Sequence, residues 1–350
     1  MPGSLQDRLA KRERVGEARR RAGLDAVALT SPEAVSWYLE GARTHVSLAG
    51  APVVAVLAAE RGDTIVVPES ERDRLVAEEL LPEDAGSVLA LDWQEPVASA
   101  AVFDGVAGEA SLAAELRAAR ASLLPAETGR FEALGADVAS ALTAVAATAD
   151  STVSERELAA RVGEALLRRG IDPLVVLVAG EGRLAHRHPL PTSSPLGPRA
   201  MIVVCGRRHG LIANATRWVS GVGEPEGQGR ILAVEAAYLR ASVPGARLND
   251  VLAAGAAAYA ANGFAADEWR RHHQGGAAGY AGRDPRATEA TGDVLHLGQA
   301  MAWNPSGPGV KVEDTVLIGE AGVRVLTADP AWPTVSVQGL ARPAAWEMAR

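Results

Sequence analysis

The chemistry open to this sequence rests on its seven histidines, its single cysteine, and the carboxylates and amides near them. His188, in Arg187-His188-Pro189, carries the ring whose ordinary pKa of about 6.5 lets it give or take a proton at neutral pH. His272, His273 and Gln274 run directly into Gly275-Gly276, where missing side chains let the backbone approach a ligand. One of these two rings is expected to face a ligand, since adjacent side chains in an extended segment diverge. Glu313 sits in Lys311-Val312-Glu313-Asp314-Thr315. Strand alternation puts Lys311 and Glu313 on one face and Asp314 on the other. A buried carboxylate needs a partner, and Lys311 is the nearest cation. Cys205, His209, His272 and His273 offer zinc-type donors, yet their spacing matches no usual zinc pattern.

The elements that must hold these groups read as two domains, 1–125 and 126–350. In the first, residues 5–22 suit a helix that ends at Gly23. Strands are expected at 25–29, 52–59, 64–68 and 87–92, with helices after Ser31-Pro32 and at 71–81. That is an α/β domain with a mixed sheet. The second domain opens with a helix over 127–149. Ser154 and Glu157 then form a capping box for a helix ending at Gly170. Strands at 174–179, 200–205, 211–219, 294–303, 310–318 and 323–326, with helices at 230–240 and 248–261, make an α+β arrangement.

The balance of the chain narrows its partners. At 350 residues and 48% hydrophobic content it can bury a large core. A single cysteine allows no internal disulfide, which fits a reducing cytoplasm. A net charge of -8 argues against nucleic acid. The basic run Lys11, Arg12, Arg14, Arg19, Arg20 and Arg21, interleaved with Glu13 and Glu17, reads as a solvated helix face. The opening residues lack the apolar stretch of a signal peptide, and no apolar run is long enough for a membrane span.

Five stretches, in order, resemble the creatinase, prolidase and Xaa-Pro aminopeptidase family, whose M24-like catalytic domain has the pita-bread fold. They are residues 152–170, the His188-Pro189-Leu190-Pro191-Thr192 segment, Gly210 to Arg217, His272 to Gly279, and Ala302 to Ile318. They match the family's G-x-T-E-x-E-L-A helix, H-x-x-P-[ST], G-Y-x-S-D-x-T-R, H-x-x-G-H-G-I-G and E-P-G…E-D-T-V-L patterns. The resemblance implies a creatinase-type N-terminal domain, a pita-bread C-terminal domain and a homodimer.

Peptidases of that family hold two metal ions with two Asp, one His and two Glu. Here the matching positions are Cys205 or Val203, Asn214, Gly276, Asn304 and Glu313, so only the last keeps its carboxylate. Valine and glycine offer no ligand, and an amide oxygen lacks the charge that offsets desolvating a dication. The two-metal mechanism is therefore not expected, and no cofactor is assigned. The resemblance points instead to creatinase, which works without metal through a histidine matching His188. Asn214 and Asn304 turn a metal cage into a neutral polar cleft. Arg217 keeps the family's T-R, and Arg283 replaces its second catalytic histidine. The expected protein is a metal-independent hydrolase acting on a small amide-, amidine- or urea-like substrate. His188 transfers the proton and Glu313 assists, with Asn214, Arg217, His272, His273, Tyr280, Arg283, Asn304 and Lys311 around the substrate. A non-catalytic binding module and a true Xaa-Pro peptidase with atypical metal ligands are the alternatives.

Overall fold

Short capping residues start the helices. Ser4 opens α1 (Leu5–Arg21) and Ser31 opens α2 (Pro32–Tyr38), each hydroxyl accepting an amide three residues on. Between and after them run β1 (Ala26–Leu29), β2 (Ala55–Ala59), β3 (Gly62–Pro68), α3 (Glu69–Arg74), β4 (Val88–Leu91), β5 (Ala107–Gly108) and α4 (Ala113–Ala121). The strands form one mixed sheet in the order β4-β3-β2-β1-β5. The structure, a computed structural model, describes residues 3–348. The chain divides into two units. The first runs to Arg130 and includes His209–Leu211; the second holds Phe131–Arg208 and Ile212 onward.

The basic run on α1 is a solvated face only in part: Arg12, Arg20 and Arg21 are exposed with Glu13 and Glu17, whereas Lys11, Arg14 and Arg19 turn inward. Lys11 is fully buried against Glu40 and Glu127. Arg19 donates to the carbonyls of Leu24 and Asp25, and Arg14 to those of Ala119 and Ser122. Lys11 and Arg14 are consumed by carboxylates and carbonyls from distant parts of the first unit, which local charge patterning does not register.

The second unit begins with α5 (Pro125–Ala146), whose first residues belong to the first unit, and α6 (Glu155–Leu167). Ser154 caps α6 as the sequence implies, but Glu157 bonds Arg161 on the next turn. Then come β6 (Asp172–Gly180), β7 (Arg199–Arg208), β8 (Leu211–Ser220), α7 (Gln228–Ala241), α8 (Leu248–Ala261) and β9 (Gly275–Ala278). They are followed by β10 (Ala300–Trp303), β11 (Ser306–Gly307), β12 (Val310–Lys311), β13 (Glu313–Gly319) and β14 (Gly322–Val325). The chain closes with β15 (Thr334–Val337), β16 (Leu340–Pro343) and β17 (Trp346–Glu347). The main sheet has eight strands in the order β6-β7-β8-β13-β10-β9, with β14 on β13 and β17 on β8.

One core of this unit packs α7 and α8 on the sheet through Tyr238, Leu252, Tyr259, Met301, Trp303 and Val316. Two readings need correction. The strand expected over 294–303 is confined to Ala300–Trp303, because Gly298 adopts a left-handed turn at φ 74°. The C-terminal strands were not anticipated; β15 is only four residues long and largely exposed.

The two faces of the sheet divide the charges. Asp314 points to the helix side, where it pairs with Arg217 and Arg342, and Arg342 also pairs with Glu235. Glu313, one residue earlier, points to the opposite side.

Candidate active site

The site is built where β8, β13, β10 and β9 lie side by side. Glu313 faces Thr216 across the β13–β8 ladder. One register step beyond the Trp303–Asp314 pair, Asn304 flanks Glu313 from the other side, its amide bonded to the Gln274 carbonyl at 3.0 Å. Asn214 precedes Thr216 by two residues and so shares its face. Cys205 lies on β7, where its thiol senses Glu313, Arg283 and Lys311. Val203, the other position matched to a family aspartate, is buried in an apolar cluster with Leu177, Met201 and Trp218.

Glu313 is held by two cations. Lys311 Nζ donates to its Oε2 at 2.6 Å and to Thr216 Oγ1 at 2.9 Å. Arg283 Nη2 donates to Oε1 at 2.6 Å. All three side chains are less than one-tenth exposed. Burial alone would raise the carboxyl pKa. The charges of Lys311 and Arg283 outweigh burial and hold it at about 2.

Three imidazoles stand beside this triad. His188 Nε2 lies 3.1 Å from His272 Nε2, and the rings of His272 and His273 are 4.5 Å apart. One nitrogen from each of the three falls within 4.8 Å of the other two. Both members of the histidine pair therefore join the cluster. They precede β9, outside the ladder, so the alternation that separates neighbours in a pleated strand does not govern them. His209 belongs to the first unit.

The loop that carries His188 is anchored at both ends. Arg187 bonds Ser306 Oγ at 2.8 Å and pairs with Glu268. Glu155, fully buried at the start of α6, accepts from the Gly180 amide, the Thr192 amide and hydroxyl, and Arg183. Gln274 is locked by Tyr238, Tyr259 and the carbonyls of Trp269 and His272. Neither Glu155 nor Gln274 was singled out as a site residue; buried polar side chains with three or more partners became legible only in three dimensions.

The remaining sequence candidates are placed as follows. Arg217 lies on the opposite face, in its ion pair with Asp314. Tyr280 is buried two residues beyond β9. His272 and His273 also line a cleft of about 460 Å³ with Gln274, Trp269, Arg271 and Arg286.

Burial, then Lys311, pulls His272 down to about 3; burial, then Arg283 and Arg286, pulls His273 down to about 4. Burial and Lys311 also lower His188. Burial pushes the Cys205 thiol up to about 12. At neutral pH the three rings are neutral and the thiol is protonated. Because His272 and His273 drop from the ordinary 6.5, the unfolded chain binds protons that the folded chain refuses. Their stabilisation is complete above about pH 6.5 and is lost as pH falls towards 4 and 3. The urea midpoint is expected to fall between pH 7.5 and pH 5, and His272→Asn should flatten that slope.

A model of metallopeptidase family M24 matches residues 131–320, more than half of the chain. The chain belongs to metallopeptidase family M24. Solved structures of similar fold match over most of the chain. The dipeptidase PepE of Mycobacterium ulcerans is 20% identical with a TM-score of 0.75, covering 94% of this chain and 98% of that one. The prolidase of Pyrococcus horikoshii is 19% identical with a TM-score of 0.73, covering 91% and 98%. The N-terminal domain of the FACT complex subunit SPT16 from chickpea is 13% identical with a TM-score of 0.68, covering 92% and 96%. At such identities the likeness shows the fold, which is the pita-bread fold with its N-terminal α/β domain. No curated protein sequence matches this M24 chain.

The residues present do not fit the family's pair of metals. Both oxygens of Glu313 are engaged by an ammonium and a guanidinium. A Cβ at Gly276 would run into the Pro285 carbonyl oxygen and lie 2.8 Å from the Ala287 nitrogen, so a histidine has no room there. The three imidazoles are suitable donors for one metal, but Lys311, Arg283 and Arg286 lie within their electrostatic reach and oppose a dication.

Proposed function

We propose that this M24 chain is a hydrolase-type acid–base enzyme that works without the two-metal centre, on a small amide-, amidine- or urea-like substrate. The observation that carries the reading is the buried Lys311–Glu313–Arg283 triad beside three clustered imidazoles. In the two-metal mechanism, cations polarise the scissile group and a carboxylate orients water. Here an ammonium and a guanidinium supply fixed positive charge, which in a water-poor site favours developing negative charge on the substrate. Glu313 keeps those two cations in place. His188, the exposed member of the imidazole cluster, is the group that meets the substrate and moves its proton. Its lowered pKa keeps it in the basic form at neutral pH. A homodimeric, cytoplasmic enzyme is part of this reading; among the described residues no helix is long and apolar enough to cross a membrane.

The test is turnover of a panel of small amides, amidines and ureas by protein treated with a chelator. Activity should survive chelation and fall about 100-fold or more in His188→Ala, the scale of a lost general base. Unchanged turnover in that variant removes His188 from the mechanism. Activity that vanishes on chelation and returns with two equivalents of metal favours an atypical Xaa-Pro peptidase.

A second reading is a non-catalytic binding module. It is favoured by the likeness to the SPT16 domain, a FACT complex subunit by description. A ligand that binds and is recovered unchanged after long incubation supports it.

A further inference from the structure

We infer that the Lys311–Arg283 pair, with Asn214 and Asn304, forms a binding site for a small monoanionic carboxylate that also carries an N–H or O–H donor. The inference rests on the functional reading above for its location and names the ligand class.

Charge is the first ground. The charged groups that act most strongly on Cys205 and the three histidines are Lys311, Arg283, Arg286 and Glu313. Three are cations and one is an anion. Arg286 is exposed at the cleft, but the side chains of Lys311, Arg283 and Glu313 are less than one-tenth exposed and together carry one net positive charge. The neighbouring rings and thiol are neutral and contribute no anion. A buried cation in excess is costly to desolvate unless a counter-charge joins it.

Unused hydrogen-bonding capacity is the second. The Lys311 ammonium has three N–H donors and bonds Thr216 and Glu313 with two. Arg283 Nε is buried without a partner, while its Nη atoms go to Gly282 and Glu313. Those are donors for an anion. Asn214 Oδ1 and Asn304 Oδ1 are buried acceptors, also without partners. Buried polar atoms left unmatched are rare and costly, so these four features together mark a ligand surface rather than a packing accident. His272 Nδ1 and His273 Nδ1 are likewise buried and unmatched.

The two asparagines define what the anion carries. A bare carboxylate satisfies the cations but leaves both amide oxygens unpaired. A hydroxy- or amido-substituted carboxylate satisfies both sets. One net buried charge matches a monoanion better than a phosphate dianion. This refines the neutral polar cleft expected from the asparagines alone, because the sequence did not reveal that Arg283 joins Lys311 at Glu313.

The experiment is calorimetric titration of the full chain at constant ionic strength with glycolate, acetate, inorganic phosphate and urea. Glycolate should bind, acetate more weakly, and urea least. Lys311→Met and Arg283→Gln should each weaken glycolate by about 10- to 100-fold, the scale of one charge-assisted hydrogen bond. Asn304→Leu should erase the preference of glycolate over acetate while leaving acetate binding intact, which covers the case in which a charge variant fails to fold. Glycolate binding that depends on Lys311 and Arg283, in a chain that turns over no amide, amidine or urea, would leave this site standing while the functional reading fails, so the two failures are separable. Absence of carboxylate binding, glycolate affinity unchanged in both charge variants, or tighter binding of phosphate than of glycolate would each overturn the assignment.

Discussion

Glu313→Gln is expected to lower stability by about 3–5 kcal/mol, read as a fall in the urea midpoint. The substitution leaves Lys311 and Arg283 buried side by side with no counter-charge. An amide accepts one of their hydrogen bonds but cancels neither charge. The double variant Glu313→Gln with Lys311→Met should recover much of the loss, since one buried cation then remains instead of two. A coupling between the two sites of at least about 1 kcal/mol is the expected signature. A single-variant cost within about 0.5 kcal/mol, the range of ordinary surface substitutions, would show that the triad is solvated in solution. The pH dependence has a definite sign. Glu313 is held at about 2 against an ordinary 4.5, so its stabilisation is complete above about pH 4.5 and is lost as pH falls through 2.

Restoring the family's ligands should not restore its metals. A variant carrying Cys205→Asp, Asn214→Asp, Gly276→His and Asn304→Glu rebuilds the five side chains on paper. Gly276→His alone is expected to cost roughly 3 kcal/mol or more, from backbone strain and overpacking together. Gly276 sits at φ 145°, which a histidine resists, and its Cβ would collide with the backbone of Pro285 and Ala287. Gly275 is closed in the same way by Ala302 and by Trp303 Cα at 2.8 Å, so the segment cannot slide to make room. Elemental analysis of the fourfold variant should find fewer than two equivalents of manganese, cobalt or zinc. A folded variant with two bound ions would sink the claim that the strand geometry, as well as the ligand chemistry, has moved away from metal binding.

The sequence carried the parts of the site that local pattern encodes. Alternation in Lys311-Val312-Glu313-Asp314 separates the site face from the helix face, and the structure pairs Lys311 with Glu313 and Asp314 with Arg217 accordingly. The ordered motif stretches located the pita-bread domain and the strand on which Asn214 stands. Contacts between residues far apart in sequence escaped. Arg283 reaches Glu313 across 30 positions, and Glu155 reaches Thr192 across 37. Neither pairing leaves a periodic trace. Arg217 keeps the family dipeptide, yet odd and even positions of β8 face opposite ways, so Thr216 serves the site and Arg217 serves the helix side. Lys11 shows the same limit from the other direction: a lysine within a charged helical run reads as solvated until the carboxylates that bury it are known.

The cations at Glu313 are part of the polypeptide, and this sets the terms on which the protein matures. A newly made chain carries that charge on release from the ribosome and needs no metal loading to acquire it. Scarcity of manganese or zinc in the growth medium does not withdraw it, and a strong chelator in the purification buffer leaves it in place.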